Sequence, residues 1–392
     1  MNNLDDLKFD SVLACKKYVL NCTISLFFII YLLKQTLFLG GAQEELNITL
    51  FVIGFLSVIT NLIIFGRKED FIYVRKYTLL VFLTVVVMLF LYEDFKSSTE
   101  FLFKFLYMSH FVYIFKKHNN ANMFIYMADL VFVCTLLIIG LSTGYIENQT
   151  AEYAMWEKNF GGFNNPNTSS FFLFSVLATY FIFGLKNRYY LALLVTLILY
   201  IFFDIYSRTF FYGSILLVLY QLAISRKYFL SLFLNHAGKF FLFISASSFL
   251  VLVIVAVFYE NLEFLKDSNI NSILSNRVDL LLNGLYVRSD TISGINFIAF
   301  DNIYYELLFI YGPVVFWFYT KNLLDTWYYV IASNDQPLFL YRLCVVAILV
   351  SLIGLFEGFF TKISPLTILL IALFFINYAN DKRLTPKYKT TT

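Results

Sequence analysis

The stretch MFIYMADLVFVCTLLIIGL, residues 123–141, decides the fold class. Asp129 is its one charged residue, and the stretch is long enough to cross the hydrocarbon core of a bilayer, which takes about 20 residues of α-helix. Comparable apolar runs recur from about residue 18 to residue 380 with no polar domain between them. The sequence therefore predicts an all-α, polytopic transmembrane helical bundle in which residues 1–392 form a single integral membrane domain.

The composition supports this class and excludes a soluble fold. Hydrophobic residues make up 60% of the chain and charged residues 14%, whereas soluble proteins carry about 25% charged residues. The net charge of +3 does not indicate a nucleic-acid partner, because the lysines and arginines are spread among many loops and form no basic patch. The expected surroundings of the chain are a lipid bilayer.

Span lengths and loop positions predict about twelve membrane-spanning helices. The fourth is the shortest and carries Lys104 and His110. The predicted spans are residues 18–38, 48–65, 77–93, 100–115, 123–141, 170–186, 189–205, 209–224, 240–259, 303–320, 338–356 and 364–379.

The distribution of basic residues predicts which side each loop faces, because cytoplasmic loops are enriched in Lys and Arg. With both termini in the cytoplasm, 19 of the 29 lysines and arginines fall in inside segments. Seven fall outside: Lys96, Lys158, Arg208, Lys266, Arg277, Arg288 and Lys362. This bias favours the orientation with both ends inside.

Two of the outside loops are long, residues 142–169 and residues 260–302. The second contains ILSNRVDLLLNGLYV, residues 273–287, whose apolar residues recur at helical spacing. We expect this stretch to form an amphipathic helix on the outer membrane surface.

Arginines on the outer side run against the topological bias, so each needs a reason to be there. Arg208 lies in a turn between two spans that is short enough to hold its guanidinium at the membrane surface. A planar, permanently charged guanidinium binds phosphate oxygens in a bidentate manner. The alternative is an interfacial arginine, or one that forms a salt bridge with Asp204.

Arg277 and Arg288 are the other candidates for anion binding. They are eleven residues apart, so on one continuous helix they would lie about 16 Å apart on nearly the same face. One diphosphate cannot span that distance. Either one of them joins Arg208 while the other holds a second substrate, or the helix breaks at Gly284; a solvated helix face is the alternative for both.

Two carboxylates open the predicted tenth span, in FDNIYYELLFIYG, residues 300–312. Asp301 lies on the same side of this helix as Tyr305, and it is also a plausible N-cap. Glu306 lies about one turn into the membrane, where an ionisable group is costly and by default suggests a function. Its alternative is pairing with a neighbouring helix.

No metal or other cofactor is expected from the sequence. No group of His, Cys and carboxylate residues has metal-ligand spacing, and none of the three histidines falls in a predicted outside loop. If phosphate is bound, arginines are therefore expected to neutralise it.

Four short patterns together resemble a known family, the superfamily of O-antigen polymerases and O-antigen ligases, the Wzy and WaaL group. The first is GGFNNPNTSS, residues 161–170, which is similar to the family's Gly-x-Phe-x-x-Pro-Asn at the start of a span. The others are the pair Ser207 and Arg208, the pair Asn276 and Arg277, and Asp301-Asn302 followed by Tyr305 and Gly312. The resemblance covers roughly residues 155–325. Ligases of this group use a histidine in the large outside loop, and this sequence has none there, which favours a polymerase.

The resemblance implies a transferase of undecaprenyl-diphosphate-linked sugars at the outer leaflet of the bacterial inner membrane. It implies that Arg208, Arg277 and Arg288 stabilise the leaving diphosphate and that Asp301, or otherwise Glu306, accepts a proton. Asn167 and Tyr305 would contact substrate. A flippase and a chain-length regulator are the implied protein partners.

Two other functions remain open, an O-antigen ligase and a transporter or flippase of the same lipid-linked units. Many transporters consist of two six-span halves joined by a central cytoplasmic loop. The corresponding connection here is the short LKNR, residues 185–188, and the polar residues concentrate near the outer rim. Both features favour the polymerase.

Reporter fusions placed after Arg208 and after Arg277 test the topology. We expect both fusions to report the extracytoplasmic side, because both arginines lie in predicted outside segments. A fusion after Lys117 should report the cytoplasm and serves as the control. If the two arginines reported opposite sides, they could not share an anion site.

Overall fold

The computed structural model describes about two fifths of the chain. The described residues are 18–19, 21–36, 46, 48–50, 52–54, 56, 121–145, 150–153, 156–159, 162–163, 166–183, 188–203, 205, 207–223, 239, 243, 247, 250, 313–332, 338–354 and 362–375. Their helices are α1 (Asn21–Lys34), α2 (Ala121–Tyr145), α3 (Pro166–Phe183), α4 (Arg188–Phe203), α5 (Arg208–Ala223), α6 (Pro313–Ala332), α7 (Leu338–Ile353) and α8 (Pro365–Phe375).

These bounds confirm the prediction that the described part of the chain is mainly helical. Three of the helices, α3, α6 and α8, begin with a proline, which suits the first helical position because proline has no N–H to leave unpaired. The predicted spans 77–93 and 100–115 and the amphipathic helix at 273–287 lie outside the described residues.

The tenth predicted span is corrected at its end. The sequence predicts an end near residue 320 and a loop at Lys321, but α6 continues to Ala332. Leu323 and Trp327 explain the extension, because they are one helical turn apart and both are buried in the bundle. Their apolar contacts keep the chain helical beyond the lysine.

The first long loop, predicted at 142–169, contains regular structure. Helix α2 runs to Tyr145, and α3 begins at Pro166. Between them lies an antiparallel hairpin of β1 (Thr150–Tyr153) and β2 (Trp156–Asn159), in which Tyr153 pairs with Trp156.

Helix α3 is the centre of the described bundle. Every residue from Thr168 to Ile182 is buried, and the helix packs against α2, α4, α5, α7 and α8. Its hydroxyl groups are bonded within the bundle: Thr179 Oγ1 donates to the Ser175 carbonyl at 2.7 Å, and Ser175 Oγ accepts the Leu366 N–H at 3.3 Å. Buried hydroxyls must find such partners.

One end of the bundle is defined by contacts between segments that are distant in sequence. Thr36, just after α1, forms an isolated β-bridge with Phe163, and Gly162 packs against Ile138 and Ser142 near the end of α2. Helices α1 and α2 therefore end where α3 begins. We call this the Asn167 end, after the second residue of α3.

The outward faces of the peripheral helices are apolar, while hydroxyl groups lie inside. Exposed apolar residues recur at helical spacing on four of the described helices. They are Leu26, Ile29 and Leu33 on α1; Val133, Leu137 and Leu141 on α2; Val195, Leu199 and Phe203 on α4; and Tyr212, Leu216 and Leu219 on α5. Among the described residues, one helix, Met123–Ser142, is long and apolar enough to cross a membrane, and the other apolar helices are shorter.

Gly162 provides a test of how the chain enters α3. Its φ is +80°, and a Cβ added there would lie 2.8 Å from Ser142 Cβ and 3.1 Å from the Ile138 carbonyl oxygen. The left-handed backbone alone costs a residue with a side chain about 1–2 kcal/mol. We expect Gly162→Ala to lower the free energy of unfolding by about 1–3 kcal/mol, measured by denaturation in detergent micelles.

Gly140→Ala is the matched control. Gly140 is exposed within α2, and an added Cβ would meet no atom within 4 Å. Because alanine is the better helix former by about 1 kcal/mol, this variant should be as stable as the parent or slightly more stable. Equal destabilisation by the two substitutions would contradict the described turn.

Candidate anion-binding site

Two of the sequence patterns meet at the Asn167 end. Ser207 Oγ donates to Asn167 Oδ1 over 3.5 Å, a long hydrogen bond that joins the starts of α5 and α3. The backbone carbonyl of Asn167 accepts the Ser170 hydroxyl at 3.1 Å, a bond within the first turn of α3. The Pro-Asn and Ser-Arg patterns, which are 40 residues apart in sequence, therefore lie side by side.

The turn before α5 places Arg208 at the surface of this end. The Ser207 N–H donates to the Ile201 carbonyl at 3.3 Å, and the Ser207 carbonyl accepts the Phe211 N–H at 3.0 Å, so a helix begins directly after the turn. Ser207 is buried, whereas Arg208, the first residue of α5, is exposed. Its guanidinium is thus available to a ligand.

A layer of aromatic rings lies beneath Asn167. Phe171, one turn further along α3, contacts the Phe210 ring edge to face, with centroids 6.1 Å apart. Phe210 also contacts Phe174, at 5.6 Å. These rings are fully buried, so the floor of the candidate site is apolar and rigid.

Lys362 brings a second cation to this layer. Its Nζ lies 5.2 Å from the centroid of the Phe171 ring, within the range of a cation–π contact. The ammonium group is half-buried. Lys362, three residues before α8, thus contacts Phe171, while Arg208 begins the helix that carries Phe210.

Hydrogen bonds hold the segment that carries Lys362. The Ile363 N–H donates to Tyr31 Oη at 2.8 Å, which ties the segment to α1. Ser364 and Thr367 cap α8 reciprocally: the Thr367 N–H donates to Ser364 Oγ at 3.1 Å, and the Ser364 N–H donates to Thr367 Oγ1 at 2.6 Å. The position of the lysine is therefore set by the fold.

The electrostatics of this end favour an anion. The described segments that pack together here carry lysine and arginine but no Asp or Glu; they are residues 31–36, 138–142, 162–163, 166–171, 207–211 and 362–367. The hairpin that links α2 to α3 carries Glu152, Glu157 and Lys158. Helices α3 and α5 both begin here, and unpaired N–H groups give a helix start a partial positive charge. Phosphate and diphosphate are anions of matching chemistry.

The predicted site residues divide into two groups. Asn167 and Arg208 are brought to one end of the bundle, as described above. Arg277, Arg288, Asp301, Tyr305 and Glu306 lie outside the described residues, as does Asp204, the alternative partner of Arg208.

The comparisons give no relative for this chain. No family model, curated protein or solved structure matches it. The interpretation of the site therefore rests on the residues themselves.

Sequence reasoning missed Lys362. It stands among the seven cations of the predicted outside segments, but no motif marks it. The available signal was its position two residues before Ser364-Pro365, the start of the last predicted span, which places the lysine just ahead of a helix. What the sequence did not contain was its contact with Phe171, almost two hundred residues earlier in the chain.

Asp129, an acidic residue within α2, has another role. It accepts a hydrogen bond from the Tyr180 hydroxyl near the end of α3, far along that helix from Asn167. Asp129 is therefore a partner of the α3 terminus and is separate from the candidate anion site.

The contact between Asn167 and Ser207 can be tested by a double-mutant cycle. Asn167→Ala and Ser207→Ala should each destabilise the protein and should couple by about 0.5 kcal/mol, the lower end for a neutral hydrogen bond. The measurement is the free energy of unfolding in micelles. Ser214, whose hydroxyl donates within α5 to the Phe210 carbonyl, is the control: Asn167→Ala and Ser214→Ala should be additive.

Proposed function

We propose that this chain polymerises undecaprenyl-diphosphate-linked oligosaccharide repeat units for a surface polysaccharide, an O-antigen or a capsule. The observation that carries the proposal is the meeting of Asn167 with Ser207, beside the exposed Arg208. Both patterns resemble sequences of this polymerase family, and they lie side by side although 40 residues separate them in the chain.

The proposed setting is a bundle of about twelve spans in the bacterial inner membrane, with both termini in the cytoplasm. Its support is the arrangement of the described helices, which expose apolar side chains and enclose hydroxyl groups. In water such a surface would be an aggregation hazard, whereas in a bilayer it faces lipid. Helices α1 and α2 end where α3, α5 and the Lys362 segment begin. This is the arrangement expected if successive loops alternate between the two sides of the membrane.

In the proposed reaction, a sugar hydroxyl of one lipid-linked unit attacks the anomeric carbon of the growing chain. A new glycosidic C–O bond forms, the C–O bond to the diphosphate breaks, and undecaprenyl diphosphate leaves with the bonding electrons. Arg208 stabilises the charge that develops on this diphosphate, a contribution of about 3–4 kcal/mol for a preorganised contact. The roles of Arg277 and Arg288 in the same task are proposed from the sequence.

The proton of the attacking hydroxyl passes to a carboxylate, for which we propose Asp301, with Glu306 as the alternative. Such a base contributes about a hundred-fold to ten-thousand-fold. Asn167 and Tyr305 orient the substrate through hydrogen bonds. A separate flippase supplies the lipid-linked units, and a chain-length regulator limits the product.

Arg208→Ala tests this function directly in cells that make the polysaccharide. We expect the polymer ladder to collapse to single repeat units, because losing one preorganised donor slows the transfer by about a hundred-fold or more. Single units should still reach the outer face. Arg208→Lys should restore little, since an ammonium cannot reproduce the bidentate contact.

Lys321→Ala, at an exposed position of α6, is the control and should leave the ladder intact. Accumulation of units only on the cytoplasmic side in Arg208→Ala cells would instead identify a flippase. A normal ladder, with the variant present in the membrane at the parental level, would exclude the proposed role of Arg208.

A further inference from the structure

Lys362 has a position that packing alone does not explain. Its Nζ lies 5.2 Å from the centroid of the buried Phe171 ring, and the packed segments described around it carry no Asp or Glu. The ring face attracts the ammonium group weakly, and an anionic ligand would provide the opposite charge that these described segments lack.

Arg208 and Lys362 are linked through the face of α3 that carries Asn167 and Phe171. These two residues are one turn apart, so their side chains lie on the same face of the helix. Ser207, the residue before Arg208, contacts Asn167, while Lys362 lies over Phe171. The two cations therefore border one stretch of a single buried helix.

We propose that Lys362 is the second cationic group of a diphosphate-binding site that it forms with Arg208. The inference rests on the proposed function, in which the diphosphate belongs to the lipid-linked sugar. Arg208 provides a planar fork for two oxygens, and Lys362 provides a mobile point charge for the other phosphate group. The buried rings of Phe171 and Phe210 form an apolar floor beneath Lys362, beside which its attraction to an anion is stronger than in open water.

Binding of inorganic pyrophosphate to the full chain in a phosphate-free, non-ionic detergent tests the site. The affinity is measured by isothermal titration calorimetry for the parent and for Lys362→Met, which keeps the length of the side chain but removes its charge. We expect Lys362→Met and Arg208→Gln each to weaken binding by about tenfold or more. Lys362→Arg should bind within about threefold of the parent, because it keeps both the charge and the ring contact.

Lys321→Met controls for the general loss of one positive charge and should bind like the parent. Unfolding in micelles is measured alongside, and Lys362→Gln, which also removes the charge, is used if Lys362→Met does not fold. Weakening by Arg208→Gln but not by Lys362→Met would overturn the role of Lys362 and leave that of Arg208. Parental affinity in both variants would overturn the whole site.

Two further measurements separate the possible sources of phosphate and the two proposals. If Lys362 only anchors a bilayer lipid, Lys362→Met in nanodiscs containing phosphatidylglycerol should reduce retention of that lipid without changing pyrophosphate affinity. That result would overturn the inference. Polymer formation is assayed in cells with the same variants. Weakened pyrophosphate binding together with a normal polymer ladder would support the anion site but contradict the proposed polymerase function.

Discussion

The burial of α3 on all sides is the constraint on which the rest of the described structure depends. A helix enclosed from Thr168 to Ile182 cannot turn a polar face to solvent, so each hydroxyl on it must be paired inside the bundle. Thr179 pairs within the helix, and Ser175 accepts the backbone N–H of Leu366 at the start of α8. The second contact also fixes the position of the start of α8 along α3, and thereby the position of Lys362.

The aromatic side chains of α3 transmit this constraint to its neighbours. Phe172 contacts Tyr31 of α1, and Phe171 and Phe174 contact Phe210 of α5. Tyr31 also accepts the N–H of Ile363, so the same rings that pack the bundle hold the segment beside the candidate site. A substitution that alters the packing of these rings is therefore expected to alter the geometry of the candidate site as well.

The candidate site combines cations with an apolar floor, and strong anion binding depends on both. A guanidinium or ammonium in free water binds phosphate weakly, because solvent screens the interaction. Beside buried phenyl rings the screening is smaller, and the attraction to an anion is stronger. The tight turn at Ser207 and the capped start of α8 keep both cations at this boundary.

The sequence by itself determined that the described spans are helices and, apart from α6, roughly where they begin, because apolar run lengths and prolines are local features. It also predicted, from short motifs, that Asn167 and Arg208 act together. It did not determine the length of α6, since the packing of Leu323 and Trp327 outweighs the charge of Lys321. Only the tertiary structure decided that Asn167 adjoins Ser207 and that Lys362 lies over Phe171. These contacts join residues far apart in the chain, and their geometry depends on how helices pack around α3, which no local pattern encodes.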